Sequence, residues 1–328
     1  MEDTSNEPPA SPAKSTGVSV ANPPSVPEHQ LIRLVGRGSS GQVWLARNTL
    51  GTYRAVKIVQ QSFPSGQRTG REFQGILSFE PVSRLHEALV DILQVGRGEE
   101  ESSFYYVMEL ADDITSGPSI VPDRYRPRTL AYDLRQNRRL PIGECIRLGA
   151  ALASGLGFLH RQGLVHRDIK PSNIIFVNGF PKLADIGLVT TRSEPRSQLG
   201  TEGFISPEGA GSPQADIYSL GKVLYEMSTG KDRNEYPELP ADLGNNLEDR
   251  DLVEFIKIVI KSCRTRPVMR FRSADELMTA LLSFQFATSR RHKAHVHRLW
   301  SKIIGLGGLL VGVGVVALLL YRLLLVLK

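Results

Sequence analysis

The segment His166-Arg167-Asp168-Ile169-Lys170-Pro171-Ser172-Asn173, followed by Ala184-Asp185-Ile186-Gly187, sets two carboxylates, an ammonium and an amide at fixed separations. Isolated Asp and Asn residues mostly form caps and turns. At these intervals the four side chains have a chemical use. Asp168 can take a proton from an incoming hydroxyl, Lys170 can steady a phosphoryl group in transit, and Asn173 and Asp185 can hold magnesium against a nucleotide. A fold that uses them must gather residues from distant parts of the chain around one metal-bound triphosphate.

Upstream, Gly36-Arg37-Gly38-Ser39-Ser40-Gly41-Gln42-Val43 is a glycine-rich turn between two predicted strands. Glycines let the backbone approach phosphate oxygens and offer them N–H donors, while Val43 can cover an adenine. The same glycine spacing marks dinucleotide folds, but there it opens a helix, and here a strand follows. Lys57, in Ala55-Val56-Lys57, stands twenty-one residues after the first glycine, where a cation can reach the alpha and beta phosphates.

Between His29 and about Leu110 the pattern favours strands: Leu31 to Val35, Gln42 to Ala46, Tyr53 to Ile58 and Phe104 to Met108. Asn48-Thr49-Leu50-Gly51 fits the turn between the second and third, and a helix around Gly70 to Phe79 interrupts the sheet. From Leu130 onward helical periodicity takes over. Leu148, Leu152, Leu156 and Leu159 share one helix face, and Ile217, Leu220, Leu224 and Met227 another.

These motifs resemble those of the Ser/Thr protein kinases, and the compact form resembles bacterial members of that family. The resemblance runs from about His29 to about Phe286. It implies an α+β bilobal kinase fold with a β-rich N-lobe and a helical C-lobe, using ATP and Mg2+ to phosphorylate protein Ser/Thr hydroxyls. Asp168, Lys170 and Lys57 are then the catalytic residues. Gly36, Gly38, Gly41, Val43, Ala55, Lys57, Glu72, Glu109, Ala111, Asn173 and Asp185 bind the nucleotide, and Asn173 and Asp185 hold the metal. Kinases orient the strand lysine with a helix glutamate; Glu72 is the candidate and Glu80 its competitor. Met108-Glu109-Leu110-Ala111 resembles the hinge, with Met108 as gatekeeper, although an ordinary strand end fits the same four residues.

The resemblance also makes Lys170 and Thr201 markers of the Ser/Thr class, with Thr201 bonded to Asp168 and Lys170. Glu208 pairs with Arg270, and Asp216 holds the His-Arg-Asp loop. Ile186 departs from the family's phenylalanine, so altered packing with retained magnesium binding is expected. Arg167 beside Asp168 implies control by phosphorylation, with autophosphorylation expected at Thr190, Thr191, Ser193 or Ser197. The polar stretch Asp112 to Arg128 is read as a surface loop or a docking segment. Two rivals remain: a pseudokinase that scaffolds partners at a membrane, and a kinase acting on a small molecule.

The net charge of +6 resolves once it is located. From Thr288 onward there are seven Lys/Arg and no Asp/Glu, leaving 33 basic against 34 acidic residues elsewhere. A near-neutral body argues against nucleic acid as a partner. Two cysteines, Cys145 and Cys263, are too few for a disulfide framework. Residues 1–28 are rich in Pro, Ser, Thr and Asn and read as a disordered arm. The kinase domain is assigned to 29–286, a basic juxtamembrane segment to 287–302 and a transmembrane helix to 303–327. Ile303 to Leu320 is eighteen residues without charge, long enough to cross a bilayer core. A buried helix of a soluble domain is the alternative. Arg290, Arg291, Lys293, Arg298 and Lys302 flank the span, so the positive-inside rule keeps the body in the cytoplasm, with the bacterial inner membrane as the expected location. Gly308 and Gly312 suit a homodimer through close helix packing, or equally a lipid-facing helix with scattered glycines.

Overall fold

Turn chemistry sets the small lobe. The computed structural model describes residues 25–38, 41–60, 67–98, 103–185, 190–191, 200–244, 247–291 and 293. The expected membrane helix with its two glycines, Ile186, Ser193, Ser197 and residues 1–24 lie outside the described residues. Strands β1 (His29–Gly38), β2 (Gly41–Asn48) and β3 (Tyr53–Val59) form an antiparallel meander. Between β2 and β3 the Asn48 carbonyl accepts from the Gly51 N–H (2.9 Å) and its side-chain oxygen from the Thr52 N–H (2.8 Å). Gly51 takes a φ of 82°, which an L side chain resists.

Helix α1 (Gln67–Ser83) follows, longer at both ends than its apolar pattern indicates, with Pro81 in its last turn. There proline's missing N–H and ring help to end a helix. Then come β4 (Ile92–Arg97) and β5 (Phe104–Met108), completing a sheet in the order β1-β2-β3-β5-β4. The adjacent inner strands β3 and β5 are buried over Ala55–Val59 and Phe104–Met108. Ordered packing reaches a few residues before the assigned domain start at 29. Val26 bridges to His29 and is buried against Trp44, Val56 and Val107 on the outer sheet face, so apolar burial starts the fold slightly earlier.

The large lobe is helical. It contains α2 (Leu130–Gln136), α3 (Ile142–Arg161), α4 (Pro213–Thr229), α5 (Leu247–Ser262) and α6 over 274–291. The leucines expected on one face of α3 and the apolar residues expected on α4 are all buried in one core. Helix α4 has clear ends: the Ser212 hydroxyl accepts from the Ala215 N–H at 3.1 Å, Pro213 opens the first turn, and Gly230 closes the last at φ 68°. A Cβ on Gly230 would stand 1.8 Å from the Arg138 carbonyl oxygen, so glycine is required there by space as well. Helix α6 runs past the assigned domain end at 286. Arg291 reaches Asp251 at 3.5 Å and lies over the Phe284 ring, fastening the start of the basic segment to the domain.

Short strands β6 (Leu164–Val165), β7 (Ile174–Val177), β8 (Phe180–Leu183) and β9 (Thr190–Thr191) form two small ladders between the lobes. Asn178 and Gly179, both at positive φ, make the two-residue turn joining β7 to β8.

The stretch Asp112 to Arg128 is an ordered bracket. The Asp113 carboxylate accepts from the N–H groups of Thr115 (2.8 Å), Ser116 (3.0 Å) and Arg126 (2.7 Å). Burial opposes its ionisation, but these donors outweigh burial and hold its pKa down at about 2. Asp112 accepts from the N–H groups of Asn178 and Gly179, both at 2.8 Å, tying the bracket to the β7–β8 turn.

Candidate active site

The strand register places the cation. Lys57 on β3 stands opposite Tyr106 on β5, and both side chains line a cleft of about 630 Å³ between the lobes. The Lys57 Nζ lies 2.5 Å from Asp185 Oδ1 and 3.5 Å from Glu72 Oε1. Burial lowers an ammonium's pKa, but Tyr106 and the Asp185 and Glu72 carboxylates outweigh that and hold Lys57 above the ordinary lysine value. Burial likewise opposes ionisation of Asp185, and Lys57 reverses it, so that carboxyl is held below its ordinary value. Of the two candidate glutamates, the structure brings Glu72 to the lysine. Glu80 faces outward and pairs with Arg84 at 2.8 Å in the next turn.

Opposite this trio, Asp168 is fixed from several sides. Its Oδ1 accepts from the Thr201 hydroxyl (2.9 Å), and its Oδ2 from Lys170 Nζ (2.8 Å) and Asn173 Nδ2 (2.8 Å). Lys170 also donates to the Thr201 hydroxyl oxygen at 2.7 Å, closing a ring of three groups. The loop beneath is held by buried Asp216, which accepts from the N–H groups of His166 (2.8 Å) and Arg167 (2.9 Å) and meets His160 Nε2 at 2.8 Å. Burial depresses the His166 pKa, which favours the neutral ring at neutral pH. Arg167 and Asp185 both sit at positive φ (72° and 57°), backbone strain of a kind that collects at functional sites.

The residues present suit a magnesium nucleotide. The Asn173 amide nitrogen is committed to Asp168, so its amide oxygen is the atom that would face a metal, and the Ala184 N–H binds the Asn173 carbonyl at 2.8 Å to tie the segments bearing Asn173 and Asp185 together. One carboxylate and one amide are few ligands, but magnesium takes the remainder from phosphates and water. Among the described residues no larger His, Cys, Asp and Glu cluster offers a metal site.

The glycine-rich turn divides by role. A Cβ on Gly41, at φ 128°, would fall 2.2 Å from the Ile58 carbonyl oxygen, so the sheet itself requires glycine. At Gly36 the nearest described atom would be 3.6 Å away, and at Gly38 none lies within 4 Å. Packing does not explain those two glycines, whereas close approach of the backbone to a phosphate does. Val43, Ala55, Met108, Glu109 and Ala111 line the same cleft. The Glu109 N–H is used by the Asp91 carbonyl and the Ala111 carbonyl by the Tyr125 hydroxyl at 3.1 Å. That leaves the Glu109 carbonyl and the Ala111 N–H to meet a base.

The lining residues missed in the sequence include Tyr106 behind the lysine, Ile175 on the floor and Tyr125 at the outer edge. An apolar residue two positions after Asn173 could have suggested Ile175. Tyr125 has no sequence signal. It comes from the bracket, is 1 % exposed, and its main-chain carbonyl accepts from Arg33 on β1, so it ties the first strand to the hinge.

Comparison with known proteins agrees with this geometry. The family described as "Protein kinase domain" matches residues 29–295. Serine/threonine-protein kinase PknA of Mycobacterium tuberculosis is 29% identical over 282 residues, covering 77% of this chain and 60% of that protein. The Bacillus subtilis serine/threonine-protein kinase PrkC is 30% identical over 218 residues, covering 62% of this chain and 30% of that protein. A probable serine/threonine-protein kinase of Clostridium perfringens is 27% identical over 276 residues, 76% of this chain and 37% of its own length. The chain thus spans less than two thirds of the length of each of these relatives.

Proposed function

This chain belongs to the protein kinase family, and we propose that it is an active, membrane-anchored Ser/Thr protein kinase. The observation that carries the reading is the joining of Lys57 to Asp185 at 2.5 Å, with Glu72 behind the lysine and both lining one cleft with Asp168. A scaffold without catalysis has no need to bury a lysine between two carboxylates, since such burial is costly unless it serves a site.

ATP with magnesium supplies the phosphoryl group and neutralises its charge. The chain's residues do the positioning. Lys57 steadies the alpha and beta phosphates, and Asn173 and Asp185 would hold the metal. Asp168, oriented by Thr201 and Lys170, aligns the substrate hydroxyl and receives its proton at a carboxylate oxygen. Lys170 offsets charge on the phosphoryl group in flight. The Lys170–Thr201–Asp168 ring supports a Ser or Thr acceptor. Magnesium-dependent transfer of labelled phosphate to protein Ser or Thr, abolished by Asp168→Ala and by Lys57→Met, is the expected result. Transfer by wild type that equals the Asp168→Ala background would defeat the reading.

The uncharged run Ile303 to Leu320 and the basic residues before it support an anchor in the bacterial inner membrane with the kinase domain in the cytoplasm. Recovery of the full chain in carbonate-washed membranes tests this, and release by carbonate counts against it. Arg167 beside Asp168 supports autophosphorylation in the segment containing Thr190, Thr191, Ser193 and Ser197, which mass spectrometry of active protein would detect.

A further inference from the structure

A second cavity, of about 450 Å³, opens on the large lobe beside Asp168. Arg135, Lys170 and Ser172 line both this cavity and the nucleotide cleft, so the two are continuous. Thr201, bonded to Asp168, lines it as well. A polypeptide presenting a hydroxyl to Asp168 has to run through or past this groove.

Its ionic content is lopsided. Arg135, Arg138, Lys170, Lys231 and Arg233 line it against two carboxylates, Glu226 and Asp232. Those two are already engaged by Arg233, whose Nη1 lies 3.3 Å from Glu226 and 3.2 Å from Asp232. Glu226 further accepts the Arg233 N–H at 3.1 Å, and Asp232 accepts the Asn234 N–H at 2.9 Å. Lys170 is held by Asp168 and Thr201, whereas Arg135, Arg138 and Lys231 are less committed. Among the described residues Arg138 meets exposed Asp242 at 3.1 Å, and Lys231 meets Glu235 and Glu238, which stand outside the groove lining. Exposed pairs of this kind are weak and open to competition. Arg135 is exposed and has no carboxylate partner among the described residues.

We propose that this groove selects protein segments carrying an anionic side chain beside the acceptor Ser or Thr, either a carboxylate or a phosphorylated residue. The inference rests on the kinase reading and adds its substrate class. An anion there gains the field of several cations and displaces only exposed pairs. A cationic segment meets like charge and finds both groove carboxylates taken.

The test uses the full chain in detergent with MgATP and three peptides differing only beside a central Ser: Glu, phosphoserine or Lys in an otherwise neutral background. The expected result is a kcat/KM for the Glu or phosphoserine peptide at least about tenfold above the Lys peptide. That ratio should fall as salt rises, because exposed charges are screened. Arg135→Glu and Arg138→Glu should each lower the ratio about fivefold or more, and because a ratio is read, a general loss of activity does not imitate the effect. If either variant fails to fold, the salt series on wild type decides. A response to phosphoserine alone would support the phosphoryl source, and a response to Glu the carboxylate source. Equal rates for the Glu and Lys peptides, with transfer intact, would overturn the inference and leave the kinase reading standing. No transfer to any peptide, to a general protein substrate or to the chain itself would overturn both.

Discussion

Two ionic clusters in this molecule pair a buried cation with carboxylates to opposite ends. In the large lobe Arg270, fully buried, donates to Glu208 twice (2.6 and 2.8 Å) and to the carbonyls of Arg264, Gln214 and Thr265. Its donors are consumed within the protein. In the cleft Lys57 meets Asp185 at 2.5 Å, Glu72 at 3.5 Å and the Tyr106 ring, and the Asp185 side chain is one third exposed toward the cavity. A closed cluster braces a lobe. An open one retains capacity to bind something else.

The sharpest way to break that contrast is Lys57→Met. Loss of phosphate positioning should cost about 10⁴ in kcat/KM, roughly 5.5 kcal/mol of transition-state stabilisation, while stability falls by less than in Arg270→Ala, because Asp185 is open to water. A melting temperature lowered by more than about 6 °C would mean that the cleft cluster also holds the fold together.

Arg270→Ala should do the reverse. Removing one partner of a buried pair strands the other, and the expected loss is about 3–5 kcal/mol in a denaturant titration. The pH dependence gives a second readout. Burial opposes ionisation of Glu208, but Arg270 outweighs it and holds the carboxyl below the ordinary Glu value. Stability from that pair is therefore fully present above the unfolded value of about 4.5 and is lost as pH falls through the depressed folded value. Arg270→Ala should flatten this acid limb, and an unchanged limb would assign it to other carboxylates.

Glu72→Gln and Glu80→Gln sharpen the comparison within one helix. Glu72 is 4 % exposed behind Lys57, whereas Glu80 serves only a surface pair. The first should lose about 10- to 100-fold in kcat/KM, and the second should stay within about twofold of wild type. Equal losses would show that the helix contributes charge without a specific partner.

These glutamates also mark where sequence reasoning reached its limit. Lys57, Asp168, Asn173 and Asp185 were legible because one reaction dictates both their type and their separation. Glu72 and Glu80 are both acids on α1, and only packing decides which faces the cleft. Strand β4 escaped notice because Leu93 is exposed and Gly96 interrupts its alternation; a Cβ there would meet the Tyr105 ring at 2.4 Å. Val26 sits among turn formers and is buried only because the outer sheet face needs a cover. Tyr125 was hidden most completely, since its direction depends on a turn organised by Asp113 twelve positions earlier.

Tyr125 supplies the smallest and most discriminating test. Its hydroxyl bonds the Ala111 carbonyl, one residue group from the N–H left to meet a base, so it belongs to the open cluster's cleft while itself being closed off. Tyr125→Phe removes that bond alone and keeps the ring in place. A neutral hydrogen bond contributes about 1 kcal/mol, so KM for ATP should rise about three- to fivefold with kcat unchanged. A fall in kcat at constant KM would place the residue in the chemical step. No change in either would show that the bracket closes the cleft by shape and leaves the hinge free of it.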